Sequence, residues 1–176
     1  MTLYDIFMLP LEQTALKRIR KEIIPRAHGN VLEIGYGTGV IYALDKKIHL
    51  LNARRMKYSV ELFEGSAEEL PFEDESFDTV VETLVFCSVD DVKAAIAEIW
   101  RVLKPGGVFI FIDHVKPEKE RLVSIFQSFN GVWHDMAGGC NLLNESHKEI
   151  EKSRFFMVER GNSNNGVLQW GVGRKT

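Results

Sequence analysis

The spacing of hydrophobic residues along the chain predicts helices and strands in alternation. In segment 11–24 they recur at helical spacing among lysine, arginine and glutamate, which predicts an amphipathic helix that ends at Pro25. Short apolar runs bounded by turn residues predict strands instead. Strands are predicted at 31–34, 40–44, 60–63, 77–81 and 108–112, and further helices at 46–56 and 92–103.

The C-terminal third continues this alternation with helices and then with strands. Helices are predicted at 118–129 and 144–152, followed by strands at 155–159 and 167–172 that a turn-rich segment joins. Strands that alternate with helices are typical of a parallel sheet covered on both faces. The predicted fold class is α/β, a Rossmann-like three-layer sandwich with a mostly parallel sheet and a C-terminal antiparallel hairpin.

Length and composition limit the classes of protein that this chain can belong to. Its 176 residues, 45% hydrophobic and 27% charged, predict one globular domain over 1–176, with 1–28 as an N-terminal helical segment over the active site. A net charge of −3 gives no general attraction to nucleic acid. No apolar run approaches the roughly 20 residues of a membrane span. We therefore expect a cytoplasmic protein, monomeric or weakly dimeric, with no nucleic acid partner and no transmembrane segment.

The cysteines and histidines show no spacing that is typical of a metal site. Cys87 and Cys140 form no CxxC pair, and the five histidines show neither HxH nor HxxxH spacing. We expect two reduced, buried, structural thiols and no bound metal.

A glycine-rich turn follows the first predicted strand and indicates a nucleotide-like ligand. Glycines at 35, 37 and 39 let the backbone approach such a ligand closely, because they carry no Cβ. A dinucleotide fingerprint would need glycine or alanine at position 40, which is Val40. Segment 33–39 instead resembles motif I of the class I methyltransferases, in which the acidic residue and the glycines hold the methionine end of the cofactor.

Three further segments match the same family in the same order. Segment 64–72 resembles the loop that touches adenine, 77–81 resembles the fourth strand, and 101–107 resembles the turn before the fifth strand. The resemblance covers nearly the whole chain and implies S-adenosyl-L-methionine as the cofactor. The residues it implies for cofactor binding are Glu33, Gly35, Tyr36, Gly37, Thr38, Gly39, Asp45, Ser66, Ala67 and Glu68.

Other segments resemble one subgroup, the small thiol methyltransferases within the methyltransferase type 11 group. They are 83–89, 113–115, the pair Trp133 and His134, and 139–141. These enzymes neighbour methyltransferases of quinone biosynthesis and of phospholipids. The resemblance therefore implies a small-molecule acceptor: a thiol, a quinone precursor or a lipid headgroup.

Methyl transfer from a sulfonium is an in-line displacement, which requires alignment of the acceptor with the methyl carbon and exclusion of water. The acceptor pocket is expected at the carboxyl ends of the strands, with Glu82, Asp113 and His114 as the candidate catalytic residues. His114 could remove a proton from the acceptor or could only fix a loop, and Asp113 is an equally good proton acceptor. Two other functions stay open: a non-catalytic cofactor-binding module and a nicotinamide-dependent oxidoreductase.

One spacing departs from the family pattern. The acidic residue that holds the ribose usually follows the glycine turn by about 20 residues, but Asp45 follows Gly39 by six. A parallel crossover needs a dozen or more residues, so no helix fits between them. Either the natural chain lacks this helix or a stretch of it is missing here. The second explanation predicts a break between Gly39 and Asp45.

Overall fold

The computed structural model describes residues 15–34, 40–45, 60–163 and 166–176. Seven strands form one sheet in the order β3-β2-β1-β4-β5-β7-β6. The strands are β1 (Asn30–Ile34), β2 (Val40–Asp45), β3 (Val60–Glu64), β4 (Phe77–Thr83), β5 (Leu103–His114), β6 (Phe156–Ser163) and β7 (Leu168–Arg174). Strands β1, β4 and β5 pair in parallel, whereas β7 runs antiparallel to both β5 and β6. Five of the seven strands therefore point the same way, which confirms the predicted fold class and its C-terminal hairpin.

Four α-helices accompany the sheet in the described part of the chain. They are α1 (Lys17–Ile23), α2 (Val92–Val102), α3 (Glu120–Met136) and α4 (Ser146–Lys152), and short 3-10 segments lie at Ile24–Arg26 and Phe86–Ser88. Each falls on or within a predicted helical segment except α3, which begins and ends later than predicted. The predicted helix at 46–56 lies outside the described residues. No helix in the described ranges is both long enough and apolar enough to cross a membrane.

Hydrophobic clusters lie on both faces of the sheet, because side chains alternate along each strand. On one face α1 packs through Ile19 and Ile23 against Val81, Ile110 and other strand residues. On the other face, residues of α2 and α4 pack against strand residues that point the opposite way. The central strands are thus covered on both sides, and their polar residues are confined to the ends.

Strand β2 runs in the direction opposite to the one that the family pattern predicts. It pairs antiparallel with both β1 and β3, so that Asp45 lies opposite Asn30 and Ile41 lies opposite Ile34. An antiparallel pair can be joined by a short connection, whereas a parallel pair requires a crossover. The five residues 35–39 are too few for a crossover, but they are enough to join two antiparallel strands. A break in the chain was expected between Gly39 and Asp45. Val40–Asp45 form one continuous strand, so the prediction is wrong for these residues. Gly39 lies outside the described residues.

Arg101, in the last turn of α2, fixes the turn that precedes β4. Its guanidinium donates hydrogen bonds to the carbonyl oxygens of Leu70 (3.0 Å) and Phe72 (2.7 Å) and to the carboxylates of Glu98 and Asp74. The planar group presents several donors in a fixed geometry, which suits several acceptors at once. One side chain therefore connects the helix to the segment that carries the chain from β3 to β4.

Candidate active site

The strand ends bring several candidate residues to one edge of the sheet. Ile34, the last residue of β1, is in register with Glu82 near the end of β4. Asp113 and His114 are the last two residues of the neighbouring strand β5. Ligands of open α/β sheets bind at this edge, beyond the carboxyl ends of the strands. The parallel strands thus bring together charged residues that are distant from one another in sequence. These residues lie next to the end of β1, after which the glycine-rich segment begins.

Glu33 lies one residue before the end of β1 and is partly buried. Burial raises the pKa of its carboxyl from 4.5 to about 7, and the positive charge of Arg20 in α1 opposes this shift only in part. A carboxylate loses hydration when it is buried, so its neutral form is favoured until a cation comes close. Glu33 is therefore suited to receive a positively charged ligand group.

Glu82 is fully buried, and its two carboxyl oxygens have different environments. Oε1 accepts backbone hydrogen bonds from Val85 (2.6 Å) and Phe86 (3.4 Å), whereas Oε2 is buried and has no hydrogen-bond partner among the described residues. Burial and, next, the nearby Asp113 raise the pKa of Glu82 well above its usual value. Glu82 thus favours the protonated form, which makes it a poor general base and leaves one polar atom free for a ligand.

Asp113 is held by a network that fixes the end of β5. One oxygen accepts the backbone N–H of His114 (3.0 Å), and the other accepts Ser146 Oγ (2.7 Å) and Asn144 Nδ2 (2.9 Å). Asn144 Nδ2 also donates to the carbonyl oxygen of His114 at 2.7 Å. Because both oxygens are occupied, this arrangement fits an Asp113 that positions its neighbours better than one that removes a proton.

His114 contacts a cysteine from a distant loop. Its Nε2 lies 2.8 Å from Sγ of Cys140, and the indole N–H of Trp133 donates to the same sulfur at 3.2 Å. The other ring nitrogen, Nδ1, is buried and has no hydrogen-bond partner in the part of the chain that the structure describes. Cys87 completes the group, since its sulfur and the ligand atoms of His114 and Cys140 all lie within 4.8 Å of one another.

These contacts distribute charge unequally between the two thiols. The nearby Cys87 thiol, followed by His114, lowers the pKa of Cys140 to about 4 in spite of burial. The Cys140 sulfur in turn raises the pKa of Cys87 well above its usual value, and burial adds to this. Burial lowers the pKa of His114, but the contact with Cys140 outweighs it and raises the pKa above its usual value. The group therefore favours a thiolate on Cys140 beside a protonated His114.

The loop after β3 also lies at the carboxyl edge, because β3 runs in the same direction as β1. Ser66 Oγ donates to one carboxylate oxygen of Glu68 (2.9 Å), and the other oxygen accepts the backbone N–H of Asp91. Ala67 between them is buried. The loop implied for adenine is thus tied to the first turn of α2.

Asp45 is not brought to this edge. Its register partner is Asn30, the first residue of β1, so it lies at the opposite end of the strand from Glu33 and Glu82. The reason is the reversed direction of β2. The remaining residues implied for cofactor binding lie outside the described residues: Gly35, Tyr36, Gly37, Thr38 and Gly39.

The sequence did not reveal that Cys87, His114 and Cys140 meet. Both cysteines are reduced and buried, as predicted. The sequence shows no basic partner for Cys140, whereas the structure places His114 beside it across 26 residues of sequence. One feature of the sequence could have indicated this contact. Cys87 follows β4 and His114 ends β5, so both lie at the same edge of the sheet, and both belong to segments that resemble one subgroup.

Comparison with known proteins agrees with this arrangement. Residues 27–111, which contain β1 to β4 and the first three quarters of β5, match a family model described as a methyltransferase domain. This match supports a class I S-adenosylmethionine-dependent methyltransferase. A solved structure from Thermotoga maritima, a methyltransferase described as a possible histamine N-methyltransferase, shares the fold with a TM-score of 0.50 and 22% identity, covering 65% of this chain and 63% of the other.

Curated relatives point to small-molecule methyltransferases. Human thiol S-methyltransferase TMT1A is 42% identical over 83 residues, 47% of this chain and 34% of the relative. Human thiol S-methyltransferase TMT1B is 29% identical over 148 residues, 73% of this chain and 61% of the relative. The demethylmenaquinone methyltransferase of Chlorobaculum tepidum is 30% identical over 125 residues, which are 64% of this chain and 52% of the relative. The chain thus spans between about a third and three fifths of the length of these relatives.

Proposed function

We propose that the chain transfers a methyl group from S-adenosyl-L-methionine to a small-molecule acceptor by in-line displacement. The observation that carries the proposal is the buried polar group at the carboxyl edge, made of Glu82, Asp113, His114 and Cys140. Buried ionisable groups of shifted pKa at one edge of a sheet are typical of a catalytic site. They lie beside the end of β1, from which the glycine turn continues.

The cofactor is expected to bind across Glu33 and the glycine turn. Glu33 supplies a carboxylate for the positively charged methionine end, and Ser66 to Glu68 form the loop that would surround adenine. Asp45 at the ribose is the assignment that the geometry supports least, since β2 directs it to the far edge. A different group must then hold the ribose, or this contact is absent.

His114 is the strongest candidate for proton transfer to and from the acceptor. Its Nε2 lies 2.8 Å from the Cys140 sulfur, so a proton can pass between them. When the proton is on sulfur, the imidazole is neutral and can accept a proton from an acceptor. Asp113 holds the backbone of His114 through its hydrogen bonds and is proposed as a positioning residue.

Among the possible acceptors, a thiol is favoured over a quinone precursor or a lipid headgroup. Two relatives that are 39% and 42% identical over the matched residues are thiol S-methyltransferases. Transfer to sulfur also needs only deprotonation of the acceptor, and a histidine beside two cysteines suits that step. A second function, binding of the cofactor without catalysis, remains the alternative that the following experiment distinguishes.

The test measures release of S-adenosylhomocysteine with thiols, quinone precursors and lipid headgroups as acceptors. We expect turnover with thiols, and a His114→Ala variant should lower kcat while leaving cofactor affinity unchanged. The exposed His134, which takes no part in the buried group, provides a matched control as His134→Ala. Cofactor binding without release for every acceptor would favour the non-catalytic module, and wild-type turnover in His114→Ala would remove the proposed role of this residue.

A further inference from the structure

Cys87, His114 and Cys140 are arranged as a set of metal ligands. They come from the 3-10 segment after β4, from the end of β5 and from the loop after α3, and their ligand atoms all lie within 4.8 Å of one another. Both cysteines are buried. Two sulfurs and one imidazole nitrogen are donors that zinc prefers. These three ligands from the described ranges leave a fourth position open, as in catalytic zinc sites.

The charges of the cluster also fit a divalent cation. Zinc binds thiolate and neutral imidazole, so its arrival must displace the thiol proton of Cys87 and the second proton of His114. The two thiolates then balance the charge of the metal. The indole N–H of Trp133 already donates to Cys140 Sγ at 3.2 Å, which is the kind of outer hydrogen bond that supports a metal-bound thiolate.

The observed spacing describes the cluster without metal. His114 Nε2 and Cys140 Sγ are 2.8 Å apart. With a Zn–N distance near 2.0 Å, a Zn–S distance near 2.3 Å and tetrahedral angles, these atoms would stand about 3.5 Å apart. To bind zinc, the two atoms must therefore move apart by less than about 1 Å. Cys140 lies in the loop after α3, which can supply this movement.

We propose that Cys87, His114 and Cys140 bind one zinc ion, and that its open fourth position binds the acceptor thiol of the methyl transfer. The second half rests on the proposed function. On coordination the acceptor loses its proton to solvent or a base and becomes a thiolate. Its sulfur then forms a bond to the methyl carbon of the cofactor, and the bond from that carbon to the sulfonium breaks. The electron pair of the broken bond stays on the sulfur of S-adenosylhomocysteine, which leaves as a neutral thioether. The methylated acceptor is also a neutral thioether and dissociates from zinc, and the oxidation state of zinc does not change.

Cobalt(II) is the probe that tests the metal site, because it replaces zinc and absorbs visible light when bound by thiolates in tetrahedral geometry. Protein stripped by a chelator is expected to bind one Co²⁺ per chain, with sulfur-to-cobalt charge-transfer bands that Zn²⁺ abolishes. Cys140→Ser and His114→Gln should each lower Co²⁺ affinity by more than 100-fold, and Trp133→Phe should lower it by about 10-fold. The matched control His134→Gln should leave it unchanged.

Circular dichroism of each variant separates loss of ligands from loss of folding. If Cys140→Ser fails to fold, His114→Gln together with protection of both thiols by Zn²⁺ from a thiol reagent decides the question. Absence of charge-transfer bands in a folded chain, or equal bands in the ligand variants, would overturn the metal site.

The open position is tested by adding 2-mercaptoethanol to the cobalt-loaded chain. A bound thiolate should intensify the charge-transfer bands, and an unchanged spectrum would exclude thiol coordination. Cofactor binding, measured separately by calorimetry, distinguishes the two failures. A chain that binds the cofactor but no cobalt refutes the metal site alone, whereas a chain that binds cobalt but neither binds cofactor nor releases S-adenosylhomocysteine refutes the proposed function.

Discussion

Replacement of Glu33 by glutamine is expected to stabilise the folded chain above neutral pH. The pKa of this carboxyl is raised by burial from 4.5 to about 7, so the folded state binds its proton more tightly than the unfolded state does. Below pH 4.5 the carboxyl is neutral in both states. Between pH 4.5 and 7 the unfolded state releases the proton first, and stability falls as pH rises. Above pH 7 the loss is complete and constant.

The magnitude follows from the difference between the two pKa values. Each pKa unit corresponds to about 1.4 kcal/mol, so a change from 4.5 to about 7 corresponds to about 3 kcal/mol. This is an upper limit, because Glu33 is only partly buried and solvent screens its charge. Glutamine has a similar shape and no charge. The Glu33→Gln variant should therefore match the wild type near pH 4 and exceed it by up to about 3 kcal/mol at pH 8.

Urea unfolding of both proteins at several pH values between 4 and 8 measures this difference. Effects of all other titrating groups cancel in the comparison if the slope with urea is unchanged. The exposed residue Glu73, as Glu73→Gln, controls for the loss of one negative charge. A stability difference that is the same at all pH values, or a less stable Glu33→Gln at pH 8, would refute the reasoning.

The same substitution should weaken cofactor binding. If the carboxylate of Glu33 receives the positive methionine end, binding needs its charged form. Affinity of the wild type should then fall as pH drops from 8 to 6, and affinity of Glu33→Gln should be low and independent of pH over this range. Calorimetry measures both. Such a residue would lower stability and raise affinity, a conflict that is expected at functional sites.

Three further substitutions test the fold by thermal or urea unfolding. A Cβ at Gly161 would lie 2.4 Å from the Trp170 ring, so Gly161→Ala should lower stability by about 1–3 kcal/mol, whereas Gly131→Ala, with open space around it in α3, should raise it by up to about 1 kcal/mol. Equal effects of both would mean that the ring does not fill this space. Arg101→Ala should cost about 1–3 kcal/mol, since it leaves the carbonyl oxygens of the turn at 70–72 without their donor. No change in the unfolding midpoint would contradict this.

The sequence predicted the elements of the fold well, because most of them are determined by local periodicity. The strand at 77–81 was predicted from its apolar run, and Asp91 begins α2 by accepting backbone hydrogen bonds from residues 93 and 94. The turn predicted at 104–107 occurs as an irregularity within β5, where Gly106 has a φ of +75° and the register with β4 shifts. Such signals lie within a few residues of one another, and a single sequence contains them.

The candidate site was predicted only in part, since its contacts join distant segments. Glu82, Asp113 and His114 were found because parallel strands end at one edge of a sheet. The approach of Cys140 to His114 depends on the path of the loop after α3, which no periodicity specifies. The direction of β2 was missed for another reason. The family pattern predicts a parallel β2, whereas the short connection between β1 and β2 allows only an antiparallel one.

The direction of β2 can be tested by changing the length of its connection. Insertion of about 14 helix-forming residues between Gly39 and Val40 would provide the dozen or more that a parallel crossover needs. If connection length alone decides the direction, β2 should reverse in the longer chain. Asp45 would then move to the carboxyl edge of the sheet, beside Glu33, and cofactor affinity should rise.

A cysteine pair reports the direction of β2 without any ligand. Asn30 and Asp45 are register partners in the antiparallel pair, so Asn30→Cys with Asp45→Cys should form a disulfide under mild oxidation. In the longer chain the two positions would lie at opposite ends of strands about five residues long, roughly 15 Å apart, and no bond could form. Peptide mass spectrometry identifies the bond. A disulfide that forms in both chains would show that β2 stays antiparallel for reasons other than the length of its connection, and one that forms in neither would contradict the observed register.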